Sequence, residues 1–286
     1  MKSYYDIVGD GGSKIVEQVG EQRDRIVRSL AGVRHRVAVG SGKGGVGKST
    51  LTSEIARALR RRGLRVAVLD ADLNGPSQAR LAGVGAAPLV PGPQGGLSMP
   101  RSPEGIGVVS LGSLVPESQA VEFDSVAGGD SHIWRATREF TFLGQLMGTV
   151  RWGELDFLLI DLPPGAERTF QYAEFLGPDT AFVLISTPSE LARGIVSRSV
   201  AALGAVPNRL LGYVENMCGY YCAGCDEVRP LFPETAATDF GISCLGRVPF
   251  DPELARAGGK VAPRTAELLD TLAKRMAHAV EPEAQP

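Results

Sequence analysis

Short, continuously apolar runs alternate with longer amphipathic stretches along most of the chain. The apolar runs lie at residues 37–39, 66–69, 106–111, 157–160, 181–185 and 210–214. Because these runs do not alternate with polar residues, they are typical of strands that are buried on both faces of a parallel sheet. The stretches that predict helices span residues 48–62, 140–150, 189–203 and 265–280. This rhythm predicts an α/β fold: a doubly wound, mostly parallel sheet with helices on both faces.

The predicted sheet and its helices occupy one domain, residues 34–280, which includes a cysteine-containing segment at 218–225. Residues 1–33 form an N-terminal extension whose apolar residues recur at helical spacing, so we expect a helix packed on the flank of the domain. Residues 84–105 are rich in proline and glycine and predict a surface excursion between strands. Residues 281–286 are expected to be a frayed tail.

The composition of the chain limits which binding partners and which cellular compartment we expect. The 286 residues carry 30 lysines and arginines against 32 aspartates and glutamates, a net charge of −2. This balance argues against bulk electrostatic binding to nucleic acid or to an anionic membrane. Apolar runs also stay well short of the roughly 18 residues that a membrane span needs. Three of the four cysteines lie within eight positions, which favours metal chemistry in a reducing compartment. We therefore expect a cytoplasmic protein with no nucleic-acid or membrane partner.

The strongest chemical signal follows the first predicted strand and opens the first predicted helix. Residues 42–49 read G-K-G-G-V-G-K-S and fit the phosphate-binding pattern G-x-x-x-x-G-K-[ST]. The glycines let backbone N–H groups turn toward phosphate oxygens, and the helix N-terminus adds partial positive charge. We expect Lys48 to reach the β- and γ-phosphates and the Ser49 hydroxyl to ligate Mg²⁺. A dinucleotide fingerprint, G-x-G-x-x-G from Gly40, is also present but leaves the final G-K-S unexplained.

Polar residues at three later strand ends complete a predicted nucleotide site. Asp72 follows the second strand, where we expect it to orient the attacking water or to contact Mg²⁺ indirectly. Asp161 ends the apolar run 157–160 in the Walker B arrangement, in which the carboxylate holds the Mg²⁺ shell. The turn at residues 163–165 is stiff and suited to sensing the γ-phosphate. Asn216 follows another strand and is predicted to hydrogen-bond the base.

A second lysine, Lys43, gives the phosphate loop a special character. With it the loop resembles the deviant Walker A motif, K-G-G-x-G-K-[ST]. That motif marks the family of MinD and ParA, the nitrogenase iron protein and the Mrp/ApbC iron–sulfur carriers. In that family the early lysine crosses a dimer interface to the partner's nucleotide, so the resemblance implies an ATP-dependent homodimer. A cation from the partner can neutralise charge that develops during phosphoryl transfer.

The cysteine segment contains a C-x-x-C pair, Cys222 and Cys225. Two thiolates in a tight, glycine-containing turn can bind one metal ion or one edge of a cluster. A [4Fe–4S] cluster or a tetrahedral Zn²⁺ takes four ligands, so a two-fold dimer would supply the second pair at its axis. Zinc, a redox disulfide and unliganded thiols remain alternatives. We expect Cys218 to be a buried small residue or a spare ligand, and Cys244 to lie in the core.

The order of the motifs narrows the resemblance to the Mrp/ApbC carriers. It rests on D-A-D-L-N-G-P-S at 70–77, D-L-P-P-G at 161–165, E-N-M at 215–217, C-x-x-C at 222–225 and V-P-F-D-P-E at 248–253. The resemblance implies a P-loop NTPase that assembles a [4Fe–4S] cluster, hydrolyses ATP slowly and transfers the cluster to apo-proteins.

The sequence departs from this family's pattern in two motifs that carry chemistry. Ala223 replaces the proline of the usual C-P-x-C, and residues 166–168 read A-E-R where the family usually has T-G-D. Both departures leave the client and partner proteins open.

Together these motifs predict which residues carry catalysis, nucleotide binding and metal binding. The predicted catalytic residues are Lys43, Lys48 and Asp72. The predicted nucleotide-binding residues are Gly42, Lys43, Gly44, Gly45, Val46, Gly47, Lys48, Ser49, Thr50 and Asn216. The predicted metal ligands are Ser49 and Asp161 for magnesium and Cys222 and Cys225 for the cluster. Two other functions stay open: a MinD/ParA-like ATPase that positions a protein or DNA cargo, and an ATP-driven electron donor.

Overall fold

The computed structural model describes residues 15–85, 87–93, 95–110, 132–222, 224–231, 240–256 and 261–281. The helices are α1 (Ile15–Ser29), α2 (Lys48–Arg61), α3 (Gln78–Leu81), α4 (His132–Thr149), α5 (Ala166–Leu176), α6 (Glu190–Leu203) and α7 (Pro263–Val280), with a 3-10 helix at Pro252–Ala255. The strands are β1 (Val33–Ser41), β2 (Val66–Asp70), β3 (Val90–Pro91), β4 (Leu97–Ser98), β5 (Gly107–Val109), β6 (Leu155–Asp161), β7 (Thr180–Ser186), β8 (Leu210–Cys222), β9 (Glu227–Pro230) and β10 (Cys244–Phe250).

A parallel sheet forms the centre of the domain, with the strand order β10-β8-β7-β1-β6-β2-β5. Strand β9 pairs antiparallel with the end of β8 and is the exception to the parallel arrangement. Strand β1 lies in the middle, where Val37 pairs with Ala181 of β7 and with Leu159 of β6. The strand order changes direction around β1, and ligands of open α/β sheets bind at the carboxyl ends of strands at such a point. The fold therefore places the glycine-rich loop after β1 in the expected crevice.

Helices cover both faces of the sheet, as predicted. Val37 and Val39 of β1 point into one apolar layer, which also contains Leu51 of α2 and Leu272 of α7. Ala38, between them, points into the opposite layer with residues of α4, α5 and α6. Because successive side chains of a strand face opposite sides, a strand covered on both faces must be apolar throughout.

The predicted N-terminal helix forms and packs against α4. Gln22 Nε2 donates to the Thr141 carbonyl at 2.9 Å, and Ser29 Oγ donates to the Met147 carbonyl at 2.7 Å. A Cβ at Gly144 would lie 2.2 Å from Gln22 Nε2. The glycine therefore allows the two helices to approach closely.

The structure differs from the sequence prediction mainly at β8 and α5. Strand β8 runs to Cys222 instead of ending at residue 214, because it pairs with β10 and then with β9 after its apolar half is complete. Helix α5 (Ala166–Leu176) was not predicted, since its apolar residues form no long periodic pattern. The segment 84–105 holds the small antiparallel pair of β3 and β4.

Gly212 offers a test of the packing at the β8 end of the sheet. Its φ is 143°, and a Cβ there would lie 2.2 Å from the Ser243 carbonyl oxygen next to β10. We expect Gly212→Ala to lower the free energy of unfolding by about 1–3 kcal/mol through backbone strain and this clash.

Gly194 provides a matched control in the interior of α6, because a Cβ there meets nothing within 4 Å. Gly194→Ala should raise the free energy of unfolding by about 0.5–1 kcal/mol, since alanine loses less backbone freedom in a helix. Urea denaturation of both variants measures the difference. Equal effects of the same sign would contradict the proposed strain at Gly212.

Candidate functional site

The glycine-rich loop has the backbone geometry of a phosphate cradle. Gly45 and Gly47 adopt φ values of 76° and 79°, in the left-handed region that favours glycine. Gly47 is the N-cap of α2, and the first turn of that helix contains no acidic side chain. The first N–H groups of a helix have no partner within the helix, and no carboxylate in this first turn competes for them. They are therefore available to an anion.

Asn216 supports this loop from below. Its Nδ2 donates to the Val46 carbonyl at 2.8 Å, and the side chain is buried. A Cβ at Gly47 would lie 2.4 Å from the same nitrogen. Position 47 therefore needs glycine for space as well as for φ. Asn216 thus has a bracing role that the sequence did not predict, while its contact with a base stays a prediction.

The predicted Mg²⁺ residues converge around Asp161. Lys48 Nζ lies 2.5 Å from Asp161 Oδ1 and 3.3 Å from Ser49 Oγ. Both Lys48 and Asp161 are buried. Thr52, which the sequence did not single out, contacts the same carboxylate oxygen at 3.5 Å. The structure thus brings Lys48, Ser49 and Asp161 together through α2 and β6, while their binding of phosphate and Mg²⁺ stays a prediction.

A second carboxylate lies beside Asp161, because Asp70 pairs with it in the register of β2 and β6. Burial, together with the nearby Asp161 charge, raises the pKa of Asp70 to about 7. Burial also raises the pKa of Asp72, and the Lys48 ammonium opposes that shift. Asp72 and Asp161 therefore both lie near the Lys48 ammonium in a desolvated crevice. The Asp161 carboxylate and the Ser49 hydroxyl, which Lys48 contacts together, are hard oxygen donors of the kind that Mg²⁺ takes.

Gln78 is a site residue that the sequence prediction missed. Its Nε2 donates to Asp161 Oδ2 at 2.8 Å and to the Ser49 carbonyl at 2.9 Å. Its backbone N–H donates to Asp70 Oδ2 at 2.9 Å. A single glutamine eight residues after Asp70 fits no chemical motif, so its role becomes visible only when α3 is folded against β6.

Lys43 and Thr50, also predicted to contact the nucleotide, are half-buried at the two ends of the loop. The Lys43 carbonyl accepts a hydrogen bond from Ser41 Oγ at 3.0 Å. Within the described part of the chain, its ammonium forms no ion pair. Lys43 is therefore a cation held at the crevice without a carboxylate of its own.

The stiff turn after Asp161 is tied to the phosphate loop. The Gly165 N–H donates to the Ser41 carbonyl at 2.8 Å. Gly165 has a φ of 120° and precedes the first residue of α5. The turn between β6 and α5 therefore cannot move without disturbing the start of the loop.

Arg168, the third residue of the A-E-R departure, forms a buried cluster behind this turn. Its guanidinium pairs with the buried carboxylate of Glu139 and lies 5.4 Å from the ring centroid of Tyr172. The Tyr172 hydroxyl lies 2.8 Å from both Glu139 Oε1 and the Ala71 carbonyl oxygen. Ala71 in turn donates its N–H to the Asp161 carbonyl. The cluster thus fixes the backbone next to Asp72.

This cluster predicts a stability loss for Arg168→Ala. Removing the guanidinium leaves Glu139 as a buried carboxylate without its cation, so we expect the free energy of unfolding to fall by about 3 kcal/mol. Arg198→Ala, at an exposed position of α6, is the control and should change stability by less than about 0.5 kcal/mol. Urea denaturation at neutral pH measures both. Equal stability of the two variants would show that Glu139 does not depend on Arg168.

The C-x-x-C pair lies at the tip of the hairpin formed by β8 and β9. Cys222 ends β8 and pairs with Glu227 of β9. Hydrogen bonds from the Cys225 thiol and from the backbone N–H groups of Cys225 and Gly224 lower the pKa of Cys222. The Tyr221 hydroxyl donates to Asp226 Oδ1 at 2.9 Å and holds the turn. The thiols of Cys222 and Cys225 therefore lie in hydrogen-bond contact, while their binding of a metal or a cluster stays a prediction. Ala223 lies outside the described residues.

The other two cysteines do not join this pair. Cys218 is half-buried, and burial raises the pKa of its thiol. Cys244 is exposed, so its predicted place in the core is wrong. It begins the edge strand β10, where its neighbour Leu245 takes the buried side. No group of three or more cysteine, histidine or acidic residues is placed to hold a metal ion in the described ranges. Among the described residues, one chain therefore offers two neighbouring thiols, those of Cys222 and Cys225, to a metal or cluster.

None of the helices within the described ranges is both long enough and apolar enough to cross a membrane.

Comparisons with known proteins identify the family of the chain. The model of the ParA family, described as the NUBPL iron-transfer P-loop NTPases, matches residues 32–282. The cytosolic Fe-S cluster assembly factor CFD1 of Eremothecium gossypii is 39% identical over 236 residues, which cover 78% of this chain and 80% of that protein. The iron-sulfur cluster carrier protein of Methanocaldococcus jannaschii is 31% identical over 274 residues, covering 92% and 91% of the two chains.

A solved structure has the same fold. It is the nucleotide-binding protein of Archaeoglobus fulgidus in complex with ADP, with a TM-score of 0.67 and 29% sequence identity. The superposition covers 92% of this chain and 96% of that one. The family match spans the phosphate loop, the buried aspartates and the C-x-x-C hairpin described above. The chain belongs to the ParA family of NUBPL-type iron-transfer P-loop NTPases.

Proposed function

We propose that this protein is a cytoplasmic, ATP-dependent carrier that holds a [4Fe–4S] cluster between two copies of itself and transfers it to apo-proteins. The observation that carries the proposal is that one strand serves both sites. Strand β8 contains Asn216, which braces the phosphate loop, and ends at Cys222, the first thiol of the pair. The names of the relatives, an iron-sulfur cluster carrier and a cytosolic Fe-S cluster assembly factor, support this function.

At the nucleotide end, Lys48 and the loop amides would bind the phosphates, and Asp72 would orient the attacking water. Ser49 and Asp161 would hold Mg²⁺, which supplies neutralisation of charge on the phosphate oxygens. Phosphates in the loop would compete with Asp161 for the Lys48 ammonium. Since Lys48 and Asp161 are now paired at 2.5 Å, nucleotide binding would change the electrostatics of the whole crevice.

At the cysteine end, each chain offers two facing thiols on an exposed hairpin. Iron–sulfur clusters are held by thiolates, and a [4Fe–4S] cluster takes four of them. A two-fold dimer doubles the pair at its axis and completes the set. The lowered pKa of Cys222 favours the thiolate form that ligates iron. The cluster is cargo in this proposal, so exposed, accessible ligands are an advantage for its release.

Anaerobic reconstitution with iron and sulfide tests the cluster site. We expect the wild type to take up about four irons and four sulfides per dimer with a visible charge-transfer band. Cys222→Ala/Cys225→Ala should lose both, because no other described thiols are arranged to replace them. Cys218→Ala/Cys244→Ala removes the same number of thiols elsewhere and should keep the cluster.

Other metal contents would decide against the proposal. Zinc bound in place of iron would show that the cysteine pair forms a structural bridge and not a cluster site. If the wild type binds no metal and the Cys222→Ala/Cys225→Ala variant keeps the wild-type ATPase activity, the result would favour an ATPase that positions cargo. A reversible cluster potential linked to ATP hydrolysis, without transfer to apo-proteins, would favour an electron donor.

Lys43 tests the proposed dimer at the nucleotide. If its ammonium acts across the interface on developing phosphate charge, Lys43→Ala should lower kcat for ATP about 100-fold, in the range for one electrostatic donor, with little change in KM. Lys274→Ala removes an exposed lysine of α7 and should behave like wild type. Steady-state phosphate release measures both parameters. A mixed dimer of Lys43→Ala and an inactive Lys48→Ala chain should recover part of the rate only if Lys43 acts in trans.

A further inference from the structure

One polar atom of the Gln78 side chain has no hydrogen-bond partner among the described residues. The residue is buried at the start of α3. Its Nε2 makes two hydrogen bonds, to Asp161 Oδ2 and to the Ser49 carbonyl. Its Oε1 is fully buried and has no hydrogen-bond partner within the described residues. Buried carbonyl oxygens nearly always accept a hydrogen bond, so we expect a bound ligand or water to donate one to this oxygen.

The orientation of the amide is fixed by its surroundings. Exchanging Nε2 and Oε1 would place a carbonyl oxygen against Asp161 Oδ2 at 2.8 Å and against the Ser49 carbonyl oxygen at 2.9 Å. Both of those atoms are acceptors, and two acceptors cannot form a hydrogen bond. The nitrogen must therefore face Asp161 and Ser49. The unpaired oxygen is a real feature of the site, because no flip of the side chain removes it.

The residues that contact the Gln78 amide indicate which kind of donor its oxygen would meet. Gln78 already contacts Asp161 and the backbone of Ser49, the two residues assigned to Mg²⁺. Magnesium keeps several waters when it binds to proteins, and each such water is a strong hydrogen-bond donor. Outer-shell partners of this kind orient the ligands of a metal and tune its affinity.

We propose that Gln78 is a positioning residue for Mg²⁺·ATP: its Nε2 fixes the Asp161 carboxylate, and its Oε1 accepts a hydrogen bond from a water bound to the Mg²⁺. The inference rests on the proposed nucleotide function and deepens it. It assigns to α3, which carries no recognised motif, a part in selecting a hydrated cation. Lys48 acts on Oδ1 of Asp161 and Gln78 on Oδ2, so Gln78 can hold the carboxylate after Lys48 turns to the phosphates.

Gln78→Met tests this role, because methionine has a similar volume but neither donor nor acceptor of comparable strength. The measurement is the affinity for a fluorescent ATP analogue, once with Mg²⁺ and once with EDTA. We expect the affinity in Mg²⁺ to fall at least about 10-fold, as for other outer-shell partners of metals. The affinity in EDTA should stay within about twofold of wild type, because the contact of Gln78 with the loop is to the Ser49 carbonyl and not to an N–H group that would face the phosphates. Binding of Mn²⁺ to the nucleotide complex, followed by electron paramagnetic resonance, should weaken in parallel.

Gln145→Met is the matched control, since Gln145 is exposed on α4. It should leave both affinities unchanged. Gln78→Asn is the second variant if Gln78→Met does not fold. It keeps the amide but is one methylene too short to span Asp161 and a metal-bound water, so it should show the same loss in Mg²⁺ only.

The outcomes separate this inference from the function beneath it. If wild type binds ATP no better with Mg²⁺ than with EDTA, the proposed nucleotide function fails. If Mg²⁺ strengthens binding equally in wild type and in both Gln78 variants, the assignment of Gln78 is wrong. If the variants lose affinity equally in Mg²⁺ and EDTA, Gln78 supports the fold and not the cation, which also overturns the inference.

Discussion

The buried carboxylate of Asp161 is the constraint on which the rest of the site depends. A desolvated charge at the end of β6 must be paired, and this one is paired with Lys48 on Oδ1 and with the Gln78 amide on Oδ2. Through its backbone carbonyl it also receives the N–H of Ala71. The phosphate-loop helix, α3 and the end of β2 therefore all meet at one residue. Any ligand that competes for Lys48 must alter the balance at each of them.

Two further connections lead away from this point. One passes through Ala71 to the Tyr172 hydroxyl and on to Glu139 and Arg168. The phenol has one proton and two acceptors at equal distance, so its hydrogen bond can favour either side. A hydrogen bond that can switch between two acceptors therefore lies at Ala71, the residue before Asp72. The charge of Arg168 is balanced there because Glu139 of α4 supplies the opposite charge.

The other connection is strand β8. Its first half lies in the parallel sheet, its middle braces the phosphate loop through Asn216, and its end carries Cys222 on a hairpin with β9. Between Asn216 and Tyr220 the pairing of β8 with β10 shifts register, and Met217 has a φ of 57°. The strand is therefore irregular between the residue that braces the loop and the hairpin that carries the thiols. Asn216 and Cys222 belong to the same strand, so the proposed coupling between nucleotide and cluster would not require contact between them.

The sequence by itself determined the layered α/β fold, the phosphate loop, Asp161 and the thiol pair, because each follows from local periodicity or from residues at fixed spacing. The tertiary structure alone decided which distant residues meet them. Gln78 and Glu139 carry no local pattern, and their roles arise from α3 packing against β6 and from α4 packing against α5. It also decided the length of β8 and the exposure of Cys244, since both depend on which strand lies beside them. Hydrophobic pattern specifies which face of an element is buried, whereas polar partners are chosen by three-dimensional proximity among elements that are far apart in the chain.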